Sequence, residues 1–228
     1  MLVASWKEAL DARGLALEIP ITLSLQWEPS KQLGSVISET QIAELVEIQK
    51  KLAVKGMQMA FADLSELLVA SVEQHELQHR IDFATENQMV FPSALESYVG
   101  PLRSTNGEQR PLAFHSRAEL SAYLAEIGRG PTPKIVLTQL ANFLLDKSHW
   151  GSAESYAAVV AFEFLAGALD IPIPAPLIHK RSIQGKVVAT LYRSIASASS
   201  ARLRAAAADS WSRLFKGELA SPRLLEDE

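Results

Sequence analysis

The chain has 228 residues, no cysteine, 22 lysines and arginines against 26 aspartates and glutamates, and a formal net charge of −4. That length buries one substantial core or at most two small ones, and the missing cysteines exclude disulfide scaffolds, thiolate-bound zinc and cysteine nucleophiles. A hydrophobic fraction of 48 %, a charged fraction of 21 % and a mean hydropathy of +0.07 describe a packed domain, while the mild acidity leaves no electrostatic footprint for nucleic acid or an anionic membrane.

The N-terminus reaches charge at Lys7 and lacks the apolar core of a signal peptide, so the expected location is cytoplasmic, or exported with a leader already removed. Leu15 to Trp27 is the best strand in the chain: Leu23, Leu25 and Trp27 alternate with Ser24 and Gln26. Gly34 to Ile37 is a weaker strand candidate. Ser38 to Gln41 fits a capping box, and Ile42, Leu45, Val46, Ile48 and Leu52 follow at helical spacing until Gly56. A longer helix is predicted from about Met59 to Ala84. Its apolar stripe, Phe61, Leu64, Leu68 and Val72, continues into His75 and His79, so His75, Glu76 and His79 are expected to face the buried side.

Thr85 to His115 shows no sustained period and reads as a long loop, a lid or specificity loop in function. Ser116-Arg117-Ala118-Glu119 forms a second capping box, opening a helix that ends near Gly128. Thr132-Pro133 starts another that runs to about Asp146. Further helices are expected from near Ser152 and Ser182, and a last one over Ala198 to Phe215. The longest apolar stretch, Ala157 to Ile178, is interrupted by Glu163, Asp170 and prolines, and reads as a buried helix followed by a turn. Pro222 to Glu228 is a charged, frayed tail. The expected architecture is a mainly α (α+β) single domain, 1–228, with a small N-terminal strand element. A metal-site core occupies 57–128 and a C-terminal helical part 129–228.

His75-Glu76-Leu77-Gln78-His79 is an H-E-x-x-H motif inside the predicted helix. Spacing of four residues puts both imidazoles on one face, where they can bind one zinc ion, and Glu76 can then reach a water on it. Two imidazoles and a carboxylate withdrawn from water without partners cost roughly 1–3 kcal/mol each, which a bound ion would offset. A catalytic zinc also needs a third protein ligand and an open position. The metzincin continuation would require glycine and histidine where Asp82 and Thr85 stand, so that class is excluded.

Glu119-Leu120-Ser121-Ala122-Tyr123 resembles the E-x-x-A-[D/Y] pattern of the downstream ligand helix in gluzincins, the thermolysin-like zinc metallopeptidases. Over Met59 to Glu126 the chain is similar to a compact member of that class. The resemblance implies a zincin-like helical domain, Zn2+ on His75, His79 and Glu119, Glu76 as general base, and Tyr123 or His149 as oxyanion donor. It also implies a peptide or protein substrate. The strand-rich sheet that precedes the motif helix in that class has only Leu15 to Trp27 and Gly34 to Ile37 as counterparts.

Glu119 has a second reading, as the capping-box partner of Ser116. Asp82 is a reserve ligand or a carboxylate orienting an imidazole, Glu126 a solvated helix residue, and His115 and His179 surface residues. The alternative to an enzyme is a helical binding module holding a structural metal or none. Substrate preference and oligomeric state are not encoded in any motif of the chain.

Overall fold

The computed structural model describes residues 55–85 and 90–220. The strand expected at Leu15 to Trp27, the second candidate at Gly34 to Ile37, the capping box at Ser38 and the tail from Pro222 lie outside the described residues. Two compact units divide the chain, Met1–Val69 and Ala70–Glu228. What is described of the first is the opening half of helix α1 (Lys55–Ala84). Among the described residues the fold is mainly α: seven helices and one small antiparallel hairpin.

After α1 come α2 (Ser93–Val99), α3 (Pro111–Arg129) and α4 (Pro133–Leu145). A 3-10 turn over Lys147–His149 leads to α5 (Ala153–Ala168), and the hairpin β1 (Ile178–His179) and β2 (Ser182–Ile183) precedes α6 (Gly185–Ala196) and α7 (Ser200–Phe215). Helix α5 is mostly apolar, buries Ala157 to Phe162 without a break and is therefore central; it packs against α3, α4 and α7. Ser152 starts it as expected, its hydroxyl accepting from the Ser155 N–H at 3.2 Å. Val188, Leu191, Tyr192 and Ile195 bury one face of α6, and Tyr192 shares a 2.8 Å hydrogen bond with Thr138 of α4. Trp211 of α7 donates to the Ser121 hydroxyl of α3 at 3.0 Å, and Arg204 donates to the carbonyls of Gly130 and Pro131 just beyond that helix. These ties hold α3, which carries half of the candidate site.

Two expectations are corrected. The stretch from Thr85 to His115 is not one loop: it contains α2 and an Arg103–Gln109 bridge around a tight turn, where short spans hid the periodicity. Helix α3 begins at Pro111, because proline at the first helical position needs no N–H partner, so Ser116 lies buried inside the helix and is not its cap. The helix expected from near Ser182 is present and starts at Gly185; what was not expected is the hairpin strand that Ser182 and Ile183 form before it.

The face of α1 is also corrected. Val69 and Val72 are 58 % and 54 % exposed and Glu76 is exposed, whereas Ser71, Gln78 and Asp82 are buried. The inward stripe within the second unit is thus Ser71, His75, Gln78 and Asp82, a polar stripe at helical spacing. Polar groups on α3 facing α1 make this register the stable one. Among the described residues no helix is long and apolar enough to cross a membrane.

Candidate metal centre

Contacts between α1 and α3 run in opposite chain directions: Ser71 and His75 meet Glu126, His79 meets Glu119, and Phe83 meets Phe114. The helices are antiparallel here, which brings two residues from one turn of α1 against residues seven apart on α3. The Nε2 atoms of His75 and His79 face each other at 3.0 Å. Glu119 straddles them, with Oε2 at 3.6 Å from the first and Oε1 at 3.7 Å from the second. A tetrahedral zinc ion with bonds of about 2.0–2.1 Å keeps its ligand atoms about 3.3 Å apart. The three observed edges bracket that value, so the donor set and its spacing fit one ion.

The other side of His75 is held. Its Nδ1 lies 3.2 Å from Oε2 of Glu126, and Glu126 in turn accepts a 2.8 Å hydrogen bond from the Ser71 hydroxyl on its other oxygen. Glu126 is 4 % exposed, so the expectation of a solvated residue is overturned. A carboxylate on the distal nitrogen fixes the imidazole's tautomer and ring orientation, leaving Nε2 free to face the cluster. Tyr123 packs edge-on against the same ring, with centroids 4.5 Å apart.

Asp82 does not perform that orienting function. It accepts from Gln78 at 2.6 Å, and Gln78 accepts from Arg129 of α3 at 2.9 Å, so the carboxylate belongs to a buried network joining the two helices. Burial raises the Asp82 carboxyl, against the opposing hydrogen bonds from Ser121 and Gln78.

The electrostatics follow from this geometry. Burial alone would pull the His75 imidazole down, but hydrogen bonds and negative charge from Glu119 and Glu126 outweigh it and hold its pKa at about 9. His79 is displaced downward, first by burial and then by the neighbouring His75 charge. The charges of Glu119, Glu76 and Asp82 act on His79 in the opposite direction. The Tyr123 hydroxyl is pushed up by burial and by surrounding carboxylates, so it stays protonated as a donor.

His75, His79 and Glu119 are brought together, and Glu76 stands on the exposed side of the same helix turn. His149 is not in the cluster: its ring meets Phe143 at 5.2 Å, and Phe143 meets Tyr123 at 5.8 Å. His115 belongs to α3, exposed, one turn before Glu119, and His179 is exposed in β1. The capping reading of Glu119 falls with the corrected start of α3. Glu126 and Ser71 are the residues beside the cluster that sequence reasoning missed. The seven-residue spacing of Glu119 and Glu126, which repeats on one helix face, was the available signal.

No family model, no curated protein and no solved structure matches this chain.

Proposed function

We propose that this protein is a zinc-dependent metallohydrolase, most specifically a gluzincin-type peptidase acting on a peptide or protein substrate. The observation that carries the reading is the convergence of His75 Nε2, His79 Nε2 and a Glu119 carboxylate at separations that suit one tetrahedral ion. Zinc in such a site supplies Lewis acidity and a water acidic enough to attack near neutral pH.

The chain's own residues supply the rest. Glu126 and Ser71 keep the His75 ring turned toward the cluster. Glu76, exposed and close enough for its charge to act on His79, takes a proton from the attacking water and passes it to the leaving amine. Tyr123 beside His75, with its proton retained, is favoured over His149 as the donor to the developing oxyanion.

Glu76→Gln tests the reading because it removes the base but no ligand. The variant keeps its zinc and loses about a hundredfold or more in cleavage of a broad peptide library. Cleavage that survives in Glu76→Gln removes Glu76 from the chemistry. Stoichiometric zinc with no cleavage by the wild type returns the non-catalytic helical module.

A further inference from the structure

A cleft of about 330 Å³ opens between the end of α2, the start of α5 and the β1–β2 hairpin. None of its lining residues belongs to the metal cluster. Tyr98, Trp150 and Tyr156 give it three aromatic walls, Ile183 and Ser155 form part of its buried lining, and among the described residues Arg181 is the one charged group that lines it. Rings and a cation in a concave site of this size suit a small organic ligand.

Two of the walls are held in place. The Tyr98 hydroxyl donates to the Glu163 carboxylate at 2.7 Å, so it offers the cleft an aromatic face and lone pairs. Trp150 donates its indole N–H to the Leu144 carbonyl at 3.0 Å, and the Lys147 ammonium stands 5.8 Å from its ring centroid. Preorganised aromatic faces lose little freedom when a planar ring stacks on them.

The hairpin sets the charge. Lys180 and Arg181 occupy its two turn positions with φ of 48° and 64°, the left-handed region where asparagine and glycine are relaxed and other residues are strained. Arg181 is exposed and makes no ion pair among the described residues. It also lies in a cationic stretch: from Ile171 to Ala208 the chain has six basic residues and no acidic one, in a protein whose net charge is −4. The walls accept any planar ring, and Arg181 favours the one that carries a negative charge.

We propose that this cleft binds a small aromatic carboxylate, its ring against Tyr98, Trp150 and Tyr156 and its carboxylate paired with Arg181. Such a group is presented either by a free aromatic acid or by an aromatic residue at a peptide C-terminus. Isothermal titration of the full chain with indole-3-acetate and with N-acetyl-tryptophan, each beside its uncharged amide, separates these sources and isolates the charge. At least one acid binds saturably, with Kd at or below about 1 mM, and its amide binds about tenfold more weakly. Arg181→Gln, at an exposed turn position, abolishes that acid-over-amide preference, and Tyr156→Leu weakens acid and amide alike. The stronger acid names the source. No saturable binding by either acid, or an acid preference that survives in Arg181→Gln, overturns the proposal. Neither outcome bears on zinc binding.

Discussion

Glu126 places a carboxylate oxygen 3.2 Å from Nδ1 of His75, fifty-one residues away in the chain, and so decides which nitrogen of that ring faces the cluster. With Ser71 donating to its other oxygen, Glu126 is itself fixed. Glu126→Gln keeps the shape and removes the charge, so zinc affinity falls by about ten- to a hundredfold while the helices stay folded. Competition with a chromophoric chelator measures it. An unchanged affinity would mean that His75 needs no carboxylate to orient it.

Metal-free stability and zinc affinity should move in opposite directions with pH. The folded-state pKa of His75 is raised from 6.5 to about 9, so its protonated form is favoured by folding. That contribution is fully present below pH 6.5 and is lost as pH rises through about 9. Zinc must displace the same proton, so its affinity rises across the same window. Urea unfolding of stripped protein and zinc titration, both at pH 6 to 9.5, give the two slopes. Parallel slopes would count against His75 as the shared group.

The turn after α3 leaves no room for a side chain. A Cβ on Gly130 would collide with the Glu126 carbonyl oxygen and approach the Ser71 hydroxyl to 3.2 Å. Gly130→Ala therefore costs about 1–3 kcal/mol of stability and weakens zinc binding several-fold, because Ser71 is pushed off Glu126. Gly185→Ala, whose added methyl meets only Leu145 at an ordinary 3.9 Å, is the control and changes neither. Thermal melts and zinc titrations of the pair check this. Equal behaviour of the two variants would separate Ser71 from the site.

Much of the site was readable in the chain because a helical spacing of four residues is a geometric statement. His75 and His79 had to share a face wherever the helix packed, and Glu119 came with a pattern on a second helix. What misled was the assumption that apolar residues mark the inward face. Val69 and Val72 stand exposed, while Ser71, Gln78 and Asp82 are buried because α3 offers Glu126, Ser121 and Arg129 as partners. Pairing between polar groups fifty residues apart leaves no period in either segment alone. The same holds for Glu119: a capping box at Ser116 fits the local pattern, but Pro111 begins the helix earlier and frees Glu119 to face the histidines. The hairpin before α6 was missed because its strands are two residues each and its turn is Lys-Arg, without the glycine or asparagine that signals such turns.

Zinc titration into metal-stripped protein decides whether the cluster is a metal centre at all. The wild type should take up about one ion per chain, and His79→Ala and Glu119→Ala should each weaken that binding by about a hundredfold or more while remaining folded by circular dichroism. Wild-type protein that takes up no zinc, or an affinity that survives in both variants, would show that His75, His79 and Glu119 do not form the site.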